Sequence, residues 1–495
     1  MATLGKLVKN VAFRTGTEAF KKLVNLGFVV FVARKLGADG LGRYSFLLVL
    51  TSILGLIADC GFSTLMLREV ATRRDEARKL LGASMILKAF LSGVVFGLLW
   101  VVIRGLNRHG GTATGVGIGA AEAYLFAAYC ILLSFMEMFN AFFVVDQRLD
   151  LDAATNVVQR GGAVFLGVVL VLHGMDIKGI GYAFAVATAI AVALALALVT
   201  KRFGRPIFRI DVALFKSLMK EAIPLALTIF FSTVYFRIDQ VMLGWIRSEK
   251  ELGWYSAAYR VFEVTVLVPS ILMLIALPMF SRLVKESKQI LVTAGQQFVV
   301  ILLTLGLAIS VVVGLSAPKI VTLFGRDFGA ESSLALVVLM GTAAPIFCNF
   351  VLAALLIALG MQVRLMYCFM AGAAINIALN YVMISRWGYI GAASSTLITE
   401  VLLFAIVARS LSRQLPGFRL KAVLLRPFAS AILAFALTYS LGLFRNRPAF
   451  AVVWLVLFGV GIAVSRAINW RELALLRGAA EASLHPDVSN PGNGR

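Results

Sequence analysis

Charge is scarce in this sequence, and acidic charge is the scarcer sign. Only 15% of the 495 residues are charged, and 25 acidic residues stand against 47 basic ones. Hydrophobic residues make up 60% of the chain, and the mean hydropathy is +0.91. One water-soluble core cannot bury so much apolar surface. The composition therefore excludes an ordinary soluble protein and predicts an all-α integral membrane protein.

Cysteine and histidine are also rare. The four cysteines stand singly in or beside apolar runs, at Cys60, Cys130, Cys348 and Cys368. They lack the paired spacing of a disulfide framework or a zinc site, and the three histidines are isolated from any candidate nucleophile. No pattern of residues supports catalysis. We therefore expect a protein that is not an enzyme and holds no cofactor, while coupling to H⁺ or Na⁺ is left open.

Long apolar runs are abundant. About fourteen of them approach the ~20 residues that cross a bilayer as a helix, and the alternating pattern of membrane-spanning strands is absent. The runs lie at residues 13–32, 43–67, 85–103, 120–145, 155–172, 179–199, 224–245, 254–280, 297–315, 334–359, 366–384, 390–409, 424–443 and 449–465. The first run carries several charges and could instead be an amphipathic helix at the membrane surface. An internal repeat favours a span.

Two short motifs recur at nearly the same distance along the chain. Leu-Gly-x-Tyr-Ser occurs at residues 41–45 and again 211 positions later, at 252–256. Ile-Gly-x-Ala occurs at 180–183 and again 210 positions later, at 390–393. The agreement predicts an internal repeat of six spans. Because six is even, the two copies enter the membrane in the same sense and are related by an axis along the membrane normal.

The predicted organisation is two six-helix lobes followed by two further helices. We assign 1–203 to the N-lobe, 204–216 to a cytoplasmic linker, 217–412 to the C-lobe, 413–470 to the two additional spans, and 471–495 to a cytoplasmic tail that is disordered at its end. Lys and Arg outside or at the ends of the runs number about 27 on the side of the N-terminus and about 13 on the other side. The richer side should be cytoplasmic, so both termini of this multi-pass inner- or plasma-membrane protein are predicted to be cytoplasmic.

A few charged residues fall within or beside the apolar runs. There, a charge costs at least about 2.5–3.5 kcal/mol and marks a pathway for something polar. The basic residues that we predict to line a substrate cavity are Arg14, Lys21, Arg160, Arg237 and Arg260. The acidic residues that we predict to act in coupling or gating are Glu18, Asp59 and Asp239. In the first run, one lysine of the pair at 21–22 shares a helical face with Arg14 and Glu18.

Several of these charges have a simpler alternative role. Arg260 and Glu263 are three residues apart on a helix and could pair with each other. Arg160 and the lysines of the first run could extend to the membrane interface. Arg237 and Asp239 are two residues apart and point in different directions on a helix, so each needs another partner. The structural alternative for Arg237 is a pair with a buried acid such as Glu18 or Asp239.

Motifs spread over the chain are similar to those of one membrane-protein family. They are Asp59-x-Gly61-Phe62 leading to Arg68-Glu69, then Pro224, Arg237-x-Asp239-x-x-Met242-Leu243-Gly244, and Leu252-Gly253-x-Tyr255-Ser256-x-Ala258-Tyr259-Arg260. With them, nearly the whole chain resembles the polysaccharide-biosynthesis or O-antigen flippases of the multidrug/oligosaccharidyl-lipid/polysaccharide exporter superfamily. The resemblance implies fourteen helices in two lobes around a central cavity.

The function implied by the resemblance is the movement of a polyprenyl-pyrophosphate-linked oligosaccharide from the cytoplasmic to the outer leaflet by alternating access. Arg237 is then predicted to contact the pyrophosphate, because Arg can hold two phosphate oxygens at once. Expected partners are the lipid-linked oligosaccharide, membrane lipids, and polysaccharide polymerase and export proteins, but not nucleic acid. The alternatives are a cation-coupled multidrug or metabolite exporter of the same superfamily and a non-transporting scaffold in an envelope-synthesis complex.

Overall fold

The computed structural model describes residues 2–108, 119–443 and 446–468, with side chains from residue 22 onward except at 106–108 and 422. The regular structure in these ranges is helical throughout. The N-terminal half contains α1 (Ala2–Asp59), α2 (Phe62–Thr72), α3 (Ala77–Arg108), α4 (Ala120–Val145), α5 (Leu149–Leu172) and α6 (Ile177–Phe203). The C-terminal half contains α7 (Val212–Ile246), α8 (Glu249–Thr265), α9 (Leu267–Glu286), α10 (Lys288–Val321), α11 (Ala330–Met340), α12 (Ala343–Ala358), α13 (Gln362–Ser412), α14 (Leu420–Ser440) and α15 (Arg447–Val464).

Twelve candidate membrane spans occur in the described residues, which confirms the all-α membrane architecture. Two of them, Lys22–Thr72 and Gln362–Ser412, are 51 residues long. At ~1.5 Å per residue such a helix would be more than twice as long as the ~30 Å hydrocarbon core. The predicted number of about fourteen spans depends on how these two segments are divided, and it stays a prediction.

The longest helices are interrupted at glycine. Gly37 in α1 has φ 70° and Gly388 in α13 has φ 56°, values that favour glycine. The rings of Phe28 and Tyr44 lie 6.3 Å apart, whereas sixteen residues of unbroken helix would separate them by about 24 Å. Helix α1 therefore folds back on itself at Gly37, and its two legs pack against each other.

Helix starts in the C-terminal half follow the local sequence. Asp211, Ser248 and Ser287 precede α7, α8 and α10, and each side-chain oxygen accepts a hydrogen bond from the backbone N–H three residues later. The segment without helix between α6 and α7 is 204–211, shorter than the predicted linker 204–216. The difference arises because the cap at Asp211 begins α7 earlier than hydropathy suggested.

The buried hydrophobic clusters lie mostly within one half or the other, and a segment after α10 is one of the places where a cluster crosses between the halves. Phe126 belongs to the core of the N-terminal half, and so do Phe324 and Phe328 from the C-terminal half. These last two side chains are 1% and 0% exposed. The Nε of Arg34 on α1 donates to the carbonyl oxygen of Leu323 at 2.7 Å. The loop that follows α10 is therefore anchored on the N-terminal half.

The repeated Leu-Gly-x-Tyr-Ser motifs lie against each other where α1 meets α8. A Cβ on Gly42 would lie 1.8 Å from the carbonyl oxygen of Glu249, and a Cβ on Gly253 would lie 1.9 Å from that of Ala38. The contact is reciprocal, because the same repeat distance of 211 residues relates the two glycines and the two carbonyl groups. Two segments related by a two-fold axis make such a contact, and at this distance only glycine fits.

Candidate functional site

A polar cavity of about 190 Å³ lies between the two halves. It is lined by Lys22, Asn25 and Leu26 of α1, Arg160 of α5, Arg237 of α7, and Arg260, Glu263 and Val264 of α8. Four basic side chains thus face a single carboxylate inside an otherwise apolar helical assembly. A concave site of this composition carries a positive potential and attracts anions.

Glu263 accepts hydrogen bonds from basic side chains on three helices. Its Oε2 accepts from Arg260 Nη1 at 2.8 Å, and its Oε1 accepts from Arg237 Nη2 at 3.0 Å. Its backbone carbonyl oxygen accepts from Lys22 Nζ at 3.4 Å. Arg260 shares a helical face with Glu263 because the two are one turn apart on α8. Arg237 and Lys22 reach the same point from α7 and α1.

Arg260 is more deeply buried than the other cavity cations, at 6% exposure. Its Nη2 has no hydrogen-bond partner among the described residues. Leaving a buried donor without an acceptor costs about 1–3 kcal/mol, and more for a charged group. The side chain of Arg237 is 30% exposed and can reach solvent in the cavity. The unpartnered Nη2 of Arg260 therefore marks a position at which an acceptor atom would be stabilised.

Three of the five predicted cavity residues meet in this cavity. They are Arg160, Arg237 and Arg260. Their role in binding stays a prediction. The other predicted residues of the first run lie on α1, but their side chains fall outside the described residues; they are Arg14, Glu18 and Lys21. The pair between Arg260 and Glu263, which the spacing left as an alternative, is present.

The partner of Arg237 could not be found from the sequence. The sequence offers a buried acid such as Glu18 or Asp239, whereas among the described side chains the carboxylate that Arg237 contacts is that of Glu263, from the neighbouring helix. Of the lysine pair at 21–22, the described Lys22 lines the cavity together with Asn25, one helical turn later. The i, i+3 spacing of these two residues is a signal that could have identified Asn25.

Asp59 is not among the residues that line the cavity. Its Oδ1 accepts from Lys88 Nζ at 2.7 Å and from Ser63 Oγ at 2.6 Å. Lys88 has no exposed surface and also donates to the carbonyl oxygen of Ser134 at 2.9 Å. This ion pair ties the end of α1 to α3 and α4. The predicted coupling or gating role of Asp59 stays a prediction.

Asp239 is also outside the cavity lining, and it is 2% exposed. The hydroxyl of Tyr255 donates to its carboxylate, and the backbone N–H of Gln240 donates at 2.8 Å. The hydroxyl of Thr396 lies at 3.5 Å. In the described part of the chain no basic side chain makes an ion pair with it. Its predicted coupling or gating role likewise stays a prediction.

Neutral polar residues extend from Asp239 through the two legs of α13. Asn380 Nδ2 donates to Asn376 Oδ1 at 2.7 Å, and Asn376 Nδ2 donates to Thr399 Oγ1 at 3.3 Å. The hydroxyl of Ser395, beside Thr396, donates to Asn380. These bonds connect the residues before Gly388 to those after it, so α13 also folds back on itself.

A family comparison agrees with this architecture. Residues 7–284 match the model of the polysaccharide biosynthesis protein family. The chain belongs to this family. Residues 224–382 also match the MatE family model. No curated protein matches the sequence. The polysaccharide biosynthesis family model thus covers more than half of the chain.

Solved transporter structures share the fold. The lipid II flippase MurJ, in an inward closed conformation, matches with a TM-score of 0.67 at 14% identity, over 92% of this chain and 98% of that chain. An inward-facing multidrug resistance MATE family transporter of the MOP superfamily matches with a TM-score of 0.65 at 16% identity, over 79% of this chain and 95% of that chain. A MOP superfamily transporter from Pyrococcus furiosus, for which reverse polarity of the binding pocket suggests a different function, matches with a TM-score of 0.55 at 16% identity. The match covers 80% of this chain and 92% of that chain. Family and fold together make this chain a multi-pass membrane protein of the polysaccharide biosynthesis family that shares its fold with these transporters.

Proposed function

We propose that this protein moves a polyprenyl-pyrophosphate-linked oligosaccharide from the cytoplasmic to the outer leaflet for cell-surface polysaccharide biosynthesis. The observation that carries the proposal is the charge of the cavity, where four cations face the one carboxylate of Glu263. A pyrophosphate diester has two negative charges, and guanidinium groups bind phosphate oxygens in pairs. We place the protein in the inner or plasma membrane with both termini cytoplasmic, where a polymerase and export proteins would use its product.

The position of the cavity supports alternating access. Arg160 comes from the N-terminal half and Arg237 and Arg260 from the C-terminal half, so a rocking motion of the halves would expose the cations to one leaflet at a time. Opening at the end where Gly42 and Gly253 meet requires the two motifs to separate. That end is the external one in the predicted orientation.

We assign ion coupling, by H⁺ or Na⁺, to Asp239 and a gating role to Asp59. A carboxylate that contacts only neutral donors can lower its cost of burial by taking up a proton or a small cation. Asp59 already has Lys88 as its counter-ion. Its ion pair instead joins three helices of the N-terminal half and resists their separation.

Arg237→Ala tests the proposed substrate contact. A hydrogen bond to a charged partner contributes about 1.5–3 kcal/mol, so its loss should weaken substrate capture roughly ten- to a hundredfold. We expect Arg237→Ala to be nearly inactive and Arg237→Lys to be impaired, both at normal membrane abundance. Glycan export and protein abundance should be measured together in cells that lack the native gene copy.

The matched control for this test is Arg282→Ala. Arg282 is a cation on α9 whose side chain is 40% exposed; it pairs with Glu286 at 2.5 Å and does not line the cavity. We expect it to export normally. Full export from a normally abundant Arg237→Ala protein would remove Arg237 from the site, and reduced abundance of that variant would instead support a structural pair with Glu263.

A cation-coupled exporter of drugs or metabolites is the second candidate. The MatE match over residues 224–382 favours it. An organic cation, however, needs a free carboxylate, and both oxygens of Glu263 are already taken by arginines. Accumulation of a lipophilic fluorescent cation in cells with and without the protein separates the two functions. Equal accumulation supports the flippase, and lower accumulation in cells that have the protein supports the exporter.

A further inference from the structure

Glu263 occupies the place between two arginines that an anionic ligand would otherwise take. Arg237 and Arg260 approach it from α7 and α8, and each binds one of its carboxylate oxygens. The two oxygens of a carboxylate and two oxygens of a phosphate present the same acceptor pattern to a guanidinium group. Glu263 is also partly accessible from the cavity, since 24% of its side-chain surface is exposed.

The balance of charges in the cavity shows what Glu263 contributes to substrate release. Without Glu263, four cations would face a bound pyrophosphate diester with two charges. A transport site must bind its ligand well enough to load it and weakly enough to release it. A carboxylate that returns to the arginines when the ligand leaves opposes overly tight binding without closing the site to anions.

We propose that Glu263 is a displaceable counter-ion: its ion pair with Arg237 breaks when Arg237 binds the phosphate group of the substrate, and the pair forms again when the substrate is released. This inference rests on the proposed function for the identity of the substrate, but not for the exchange itself. The incoming anion binds the Nη2 of Arg260, which has no hydrogen-bond partner among the described residues while Nη1 stays on Glu263. Arg237 is then exchanged, since it is the more exposed of the two arginines.

A purely structural role for Glu263 predicts the opposite result. If the carboxylate only held the two arginines in place, removing its charge would let them move apart and would weaken anion binding. If it competes with the anion, removing its charge must strengthen binding. Glu263→Gln separates these roles, because the amide keeps the size of the side chain and one acceptor oxygen but no longer carries a negative charge.

The first experiment measures inorganic pyrophosphate binding to the purified full-length protein by titration calorimetry. We expect Glu263→Gln to lower the Kd about tenfold and to make binding more sensitive to salt, because one repulsive charge close to the ligand is gone. Asp150→Asn removes an exposed carboxylate that pairs with Arg148 outside the cavity, and it should bind like the wild type. An unchanged or higher Kd for Glu263→Gln overturns the proposal, as does a wild-type protein that binds no pyrophosphate at millimolar concentration.

The second experiment measures export kinetics with lipid-linked oligosaccharide in proteoliposomes. Glu263→Gln should lower the apparent KM and also the maximal rate, because release slows when the competing carboxylate is neutral. A lower KM with an unchanged or higher maximal rate overturns the release role. If the wild type binds pyrophosphate and Glu263→Gln binds it more tightly, yet neither moves the lipid-linked oligosaccharide, the proposed function fails and the counter-ion exchange stands.

Discussion

The two halves of the molecule contain acidic side chains in different environments, the largely buried Asp59 in one half and the buried Asp239 and Glu400 in the other. In the N-terminal half, Asp59 lies 2.7 Å from Lys88, a lysine with no exposed surface. In the C-terminal half, Asp239 and Glu400 are each 2% exposed and contact neutral groups. Their hydrogen-bond donors include the Tyr255 hydroxyl and the Asn349 amide, which lies 2.8 Å from Glu400.

This difference separates a carboxylate whose charge stabilises the fold from a carboxylate that can gain and lose a proton or a cation. In a buried ion pair each partner stabilises the charge of the other, and removing one partner costs about 3–5 kcal/mol. A buried carboxylate with only neutral donors is costly while it is charged and suits a site that binds and releases a proton or a cation. The comparison therefore predicts structural support in the N-terminal half and ion coupling in the C-terminal half.

The largest effect is expected from Lys88→Met, which leaves Asp59 without its counter-ion. The free energy of unfolding should fall by about 3–5 kcal/mol, seen as a lower Tm of the detergent-purified protein and lower membrane abundance. The double variant Lys88→Met/Asp59→Asn should recover most of that loss, because no unpaired charge remains. If Lys88→Met is as stable as the wild type, the contrast between the halves is wrong.

An intermediate and matched effect is expected where the halves are alike, at Gly42 and Gly253. Alanine at either position places a Cβ within 2 Å of a carbonyl oxygen, and relieving such overpacking costs about 1–3 kcal/mol. The Tm values of Gly42→Ala and Gly253→Ala should fall by similar amounts. Gly314→Ala, where nothing lies within 4 Å of the new methyl group, is the control and should not lower the Tm. Clearly unequal losses would show that the motifs are not equivalent.

The smallest effect on stability, but a specific effect on transport, is expected from Asp239→Asn. The amide keeps the shape of the side chain, so abundance should stay normal. Export should lose its response to an imposed H⁺ or Na⁺ gradient and fall about 5- to 150-fold, the range of typical coupling free energies. Asp150→Asn, at an exposed carboxylate that pairs with Arg148, should retain the response in the same membrane vesicles. A gradient response in Asp239→Asn equal to that of the wild type would place coupling elsewhere.

The membrane architecture was predictable because the bilayer allows few solutions. Apolar runs of about 20 residues must satisfy their backbone hydrogen bonds internally, and a helix does so. The repeat spacing also identified two segments that contact each other, since the motifs at 41–45 and 252–256 meet at Gly42 and Gly253. Hydropathy also separated the runs 13–32 and 43–67, and the runs 366–384 and 390–409, and Gly37 and Gly388 lie in these two gaps. Which residue makes each break depends on backbone conformation, which hydropathy does not report.

By itself, the sequence determined which residues carry charge into the membrane, and it offered the pair of Arg260 and Glu263, one helical turn apart, as an alternative. Only the tertiary structure decided that Arg237 and Lys22 reach the same Glu263, and that Arg160 lines the cavity with them. The positions of these side chains depend on how α1, α5, α7 and α8 cross. Helix crossing is set by the packing of side chains between helices, and the periodicity within one helix carries no information about its neighbour.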